Sequence, residues 1–88
     1  MKSIHIRRLP YQEAKAKLEQ ELEDAFVSGE RYVEVIHGIG GGVLRNMAYE
    51  VAGSLDFLKI LPGTSNPGVL RAEILSPGKG ELKKYLSR

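Results

Sequence analysis

The chain has 88 residues, a formal net charge of +2, 42% hydrophobic and 27% charged residues, and no cysteine. That length argues for one domain with a small core, and the missing cysteines exclude disulfides and thiolate chemistry. No run reaches membrane-spanning length, and the opening MKSIHIRRLP holds no apolar stretch of signal-peptide length, so no membrane partner and a cytoplasmic location are expected.

Residues 3–9, SIHIRRL, alternate. Ile4 and Ile6 face one way, His5 and Arg7 the other, as a half-buried strand requires. Pro10 suits the first turn of a helix, where its missing N–H costs nothing. Over residues 11–28, Ala14, Leu18, Leu22, Ala25 and Phe26 recur at helical spacing, with acidic residues opposite. Gly29 can end that helix in a left-handed conformation. Arg31 to Ile36 reads as a second strand, rich in β-branched and aromatic residues. The segment HGIGGGVLR follows at 37–45. Leu44, Met47, Ala48, Val51 and Ala52 then form a second helical stripe, closed by Gly53-Ser54. Leu55 to Leu61 fits a third strand, Pro62 to Gly68 a loop, and Val69 to Leu75 a fourth strand. Leu70, Ala72 and Ile74 share one face of that strand, Arg71 and Glu73 the other. Ser76-Pro77-Gly78 breaks it. A domain over 1–76 is expected, with 77–88 as a basic tail or short helix.

The order β-α-β-α-β-β predicts an α/β domain with some parallel pairing, because each crossover must return over the sheet. The last two strands either pair antiparallel or flank another strand.

A strand that runs into a glycine-rich turn and then a helix is a ready anion site, since backbone N–H groups and the helix dipole both point at the ligand. Two familiar motifs fail. A Walker loop needs Lys and Ser/Thr after the last glycine, and Val43 stands where a dinucleotide fingerprint needs its third glycine. Charge supports a polyanionic partner: residues 10–30 hold six acids against two bases, and the rest holds eleven bases against five acids. A solubility pattern is the plainer reading of the same asymmetry.

Arg7, Arg8 and Arg45 are candidates for a phosphate-gripping patch, extended by Lys79, Lys83, Lys84 and Arg88. His37 is a candidate general base or acid, or a neutral hydrogen-bonder that fixes the turn. His5 approaches His37 if the first two strands adjoin; otherwise it is an exposed strand histidine. Two histidines with no cysteine fall short of a zinc set, and no cofactor is expected. Of Tyr11, Tyr32, Tyr49 and Tyr85, which can stack bases, Tyr32 and Tyr49 read as partial core. Thr64, Ser65 and Asn66 are phosphate contacts or turn formers.

The pattern His-Gly-x-Gly-x-Gly-x-Leu-Arg, with Ile4 to Leu9 as a leading strand, Glu13-Ala14 opening the first helix and Val33 to Ile36 feeding His37-Gly38, resembles the small MutS-related (Smr) domain. The resemblance covers residues 3 to about 75. It implies a two-layer α/β sandwich like the C-terminal domain of the third bacterial initiation factor. It implies binding of DNA or RNA, endonuclease activity in several members, and work at ribosomes in some. By that resemblance His37, Gly38, Gly40, Gly41 and Gly42 lie against the sugar-phosphate backbone, and Arg45 contacts phosphate. His5 stands where the family has Asp, Arg8 where it has glycine, Ile39 where a base is common, and Leu70 where it has Thr. The binding half of the signature is kept and the part linked to cleavage is changed. The expected function is therefore nucleic-acid binding, with room for a metal-independent or weak endonuclease activity on RNA or branched DNA. The alternatives are an inactive ribosome-docking module and a small phosphate or nucleotide binder.

Overall fold

The computed structural model describes residues 1–62 and 66–75. Its elements are β1 (Lys2–His5), α1 (Tyr11–Val27), β2 (Tyr32–Ile36), α2 (Val43–Ser54), β3 (Leu58–Leu61) and β4 (Val69–Ile74), which is the expected β-α-β-α-β-β order. The strands form one sheet in the order β1-β2-β4-β3. β1 and β2 pair in parallel, and β4 pairs antiparallel with both β2 and β3. Of the two arrangements left open for the last strands, the antiparallel pair is the one found: β4 pairs directly with β3 and lies between it and β2. It follows that β1, β2 and β3 run in one direction, and their carboxyl ends open at one end of the sheet.

Alternation sorts the two faces. Ile4, Val33, Val35, Leu70, Ala72 and Ile74 are all buried. They register across the sheet, Ile4 opposite Val35, Val35 opposite Leu70 and Val33 opposite Ala72. The apolar stripes of the helices join the same core, with Ala14, Leu18, Leu22, Ala25 and Phe26 from α1 and Met47, Ala48, Val51 and Ala52 from α2. Phe26 stacks on Phe57 at a ring-centroid distance of 4.3 Å, which pins the last turn of α1 to the segment entering β3. The opposite face is polar. There Glu34 accepts a hydrogen bond from Ser3 at 2.9 Å and lies 3.8 Å from Arg71 Nε, a partly exposed contact that adds little stability. No helix among the described residues is long and apolar enough to cross a membrane.

Two strands are shorter than the hydrophobic pattern predicts. β1 ends at His5. The N–H groups of Ile6 and Arg7 both reach the Ile36 carbonyl at 3.1 Å, and Arg8 then turns the chain at φ +68°. Ile6 is fully buried and Leu9 packs on the core, so the apolar pattern persists through a turn. β3 starts at Leu58 rather than Leu55 for a similar reason, because Leu55 and Phe57 pack inward from a turn in which Leu58 N–H donates to the Leu55 carbonyl at 3.2 Å. The tail 77–88, with Lys79, Lys83, Lys84, Tyr85 and Arg88, lies outside the described residues, as do Thr64 and Ser65.

Candidate functional site

His37-Gly38 lies at the junction of three strand ends. The Gly68 carbonyl, just ahead of β4, accepts the N–H groups of both His37 and Gly38 at 3.0 Å. On the other side, the residue before His37 holds the exit of β1 through its carbonyl. The dipeptide itself is therefore held from the β4 side, and the residue before it from the β1 side. The Gly68 N–H in turn donates to Asn66 Oδ1 at 2.9 Å, so Asn66 acts as a turn former.

Glycine is required at 38 for two reasons. Its φ is +82°, and a Cβ there would lie 2.9 Å from Arg7 Cγ, because the Arg7 stem crosses that face of the glycine. Gly38→Ala is expected to destabilise the fold by about 1–2 kcal/mol from the left-handed backbone alone, and to push the Arg7 stem aside. Denaturant unfolding measures this; an unchanged midpoint contradicts it.

The start of α2 departs from the rules that stabilise isolated helices. Its N-cap is Gly42 at φ +87°, no side chain caps it, its first turn holds no acid, and Arg45 sits in that turn. Helix N-termini leave backbone N–H groups without intrahelical partners, and their partial positive charge disfavours a cation. Arg8 adds a third departure, because a left-handed backbone is uncommon for a residue with a Cβ. The glycine of the family pattern would take that conformation without strain.

All three features border one concavity of about 420 Å³, lined by Arg7, Arg8, Arg45, His37 and Gly38 to Leu44. It brings together His37, the glycines of the turn and the three candidate arginines, but not His5. β1 and β2 do adjoin, yet His5 is exposed and out of step with the buried Ile4 and Ile6. The His37 ring lies on the helix side, 6.5 Å from the Tyr49 ring of α2. Adjacent strands thus leave the two histidine side chains on opposite faces.

His37 is 4% exposed and is the one buried polar side chain among the described residues. Its Nδ1 lies 2.9 Å from the Gly38 carbonyl. A carbonyl only accepts, so Nδ1 carries the hydrogen, and in the neutral ring Nε2 presents a lone pair. That Nε2 is buried with no hydrogen-bond partner, an arrangement that ordinarily costs about 1–3 kcal/mol.

Tyr49, which reads as partial core in the sequence, belongs to the site. It is 37% exposed. It stands four residues beyond Arg45 on the same helix face, and the guanidinium carbon lies 5.5 Å from its ring centroid. That i,i+4 spacing from an arginine at the turn is the signal that could have found it. Tyr49, Arg45 and the turn form one wall of a second concavity of about 610 Å³, with Ile60, Leu61, Pro62, Pro67 and Val69 opposite. Tyr11 and Tyr32 line neither concavity. Among the described residues no group of three or more His, Asp or Glu side chains is arranged to hold a metal ion.

Comparison with known proteins agrees with this architecture. Residues 4–52 match the Smr domain family. Over 49 residues the chain is 39% identical to endonuclease MutS2 of Halothermothrix orenii, and over 42 residues it is 48% identical to endonuclease MutS2 of Clostridioides difficile. These segments are 56% and 48% of this chain but only 6% and 5% of those proteins. The crystal structure of the Smr domain of Thermus thermophilus MutS2 superposes with a TM-score of 0.77, covering 84% of this chain and 98% of that one. At 24% identity, that likeness concerns the fold alone. The family match spans more than half of the sequence, from Ile4 in β1 through the whole glycine turn to Ala52 in α2, and this chain belongs to the Smr domain family.

Proposed function

We propose that this domain binds nucleic acid through its sugar-phosphate backbone, with the glycine turn and the start of α2 supplying N–H donors and Arg7, Arg8 and Arg45 supplying charge. The observation that carries this reading is the uncapped, arginine-bearing N-terminus of α2 facing the same concavity as Arg7 and Arg8. A phosphate there satisfies the orphan N–H groups, offsets the cation against the dipole, and gives three guanidinium groups a forked acceptor. The family supports the same direction, since related Smr domains sit in proteins named endonucleases. Phosphate contacts carry no base sequence, so RNA and branched DNA are both within reach.

A second reading adds cleavage, with His37 as the proton acceptor. It rests on the tautomer: the Gly38 carbonyl holds the hydrogen on Nδ1, which leaves the Nε2 lone pair for a substrate hydroxyl. Because Nε2 is buried, contact with substrate requires the turn or Tyr49 to shift. An inactive module docking on ribosomal RNA shares the binding chemistry and differs only in lacking this step.

Labelled single-stranded RNA, duplex DNA, branched DNA and a mononucleotide, titrated with the wild type and with His37→Gln at two salt concentrations, separate these readings. Binding that weakens steeply with salt is expected. Cutting by the wild type but not by a His37→Gln variant that still binds assigns catalysis to His37. Salt-dependent binding without cutting leaves the grip alone. Salt-insensitive saturation by a mononucleotide, or no binding at all, overturns the nucleic-acid reading.

A further inference from the structure

We propose that the 610 Å³ concavity beside the glycine turn seats an unstacked nucleobase, so that the domain holds an unpaired nucleotide across the turn. The inference rests on the backbone-binding reading above and assigns a ligand to the other side of the same wall.

The two concavities differ in chemistry and share a boundary. Arg7 and Arg8 border only the first. Tyr49, Ile60, Pro62 and Pro67 border only the second. Gly38, Ile39, Gly40, Gly42 and Arg45 line both. A nucleotide divides in the same way, with a strongly hydrated anion on one side of the sugar and a flat, weakly hydrated ring on the other. The volume falls within the range of small-molecule sites, which are mostly apolar with a few polar groups. The Arg45 guanidinium carbon lies 5.5 Å from the Tyr49 ring centroid, so an arginine and an aromatic ring, the groups on which bases stack, meet at this wall.

Ile39 supports the same occupant. It stands between two glycines, lines both concavities and is 79% exposed. An apolar side chain projecting from a phosphate-binding turn has the form of the wedges that proteins insert between base steps. A paired and stacked base cannot leave its neighbour to enter the groove without an unstacking cost, so unpaired segments and extruded nucleotides fit best. Aromatic stacking accepts every base, and no base preference is expected from this groove.

The test compares two oligonucleotides of equal length and charge with the wild-type domain: an intact single strand, and the same strand with abasic residues throughout. Anisotropy titrations are run at several salt concentrations. The intact strand is expected to bind on the order of tenfold more tightly, with the same salt dependence for both. Tyr49→Leu keeps an apolar side chain but removes the ring and its π-face. It is expected to lower intact-strand affinity toward the abasic value, with a clearly smaller effect on the abasic strand. Equal affinity of the two strands, with salt dependence preserved, overturns the base seat and leaves the phosphate cradle standing. Absence of salt-dependent binding to either strand removes the underlying reading as well.

Discussion

Replacing Arg7, Arg8 and Arg45 together by alanine is expected to flatten the salt dependence of nucleic-acid binding. Each neutralised phosphate contributes about 0.7 to the log–log slope on single strands and about 0.9 on duplex DNA. Three such contacts amount to about 2 and about 3. Between 50 and 200 mM salt the wild type should therefore lose roughly 20- to 40-fold more affinity than the triple variant. The three arginines are exposed, so the fold should survive, as thermal unfolding of the same variant will verify. A weaker variant whose slope equals that of the wild type would mean that the arginines do not touch phosphate.

Leu70→Ala is expected to cost about 3 kcal/mol, within the range for truncating a fully buried leucine. Leu70 lies on the helix-covered face of β4, opposite Val35, at 1% exposure. β4 is the strand that joins β2 to β3, so the cavity opens at the centre of the sheet. For a domain of this size that loss corresponds to a fall in Tm of roughly 10–25 °C. The effect should reach the site, because Gly68, whose carbonyl clamps His37 and Gly38, lies two residues earlier, just ahead of the same strand. Binding measured well below the new Tm should weaken along with stability. Equilibrium unfolding that shows under 1 kcal/mol of change would contradict the packing described for β4.

Most of the architecture is legible from apolar spacing. The stripe Ala14, Leu18, Leu22, Ala25, Phe26 is the buried face of α1 residue for residue, because a long amphipathic helix repeats its signal several times. Short strands repeat it too few times. At Arg7 to Leu9 the inward residues continue while the backbone turns, so periodicity alone overextends β1. The insertion of β4 between β2 and β3 is a matter of long-range pairing, which no local pattern encodes. In the site, the glycines announce the turn, and the arginines converge as their sequence context suggests. What stays hidden is the burial of His37 Nε2, the separation of His5 from it, and the recruitment of Tyr49. Each depends on which face of the sheet a side chain meets and on what α2 lays over it.

The consistent feature of the site is that local stability is given up where an anion would restore it. Gly42 leaves α2 uncapped, Arg45 opposes the dipole, and Arg8 holds a left-handed backbone. Sites that break local rules together in this way are where function is expected.

An amide-resolved NMR titration of the ¹⁵N-labelled domain with a short single-stranded oligonucleotide addresses the cradle itself. The account predicts the largest shifts at the N–H groups of Gly40, Gly41, Gly42, Val43 and Leu44, shrinking together as salt is raised, with little change at Ser3, Glu34 and Arg71 on the polar face of the sheet. Shifts confined to that polar face or to the exposed side of α1, with the glycine-turn amides unmoved, would contradict it.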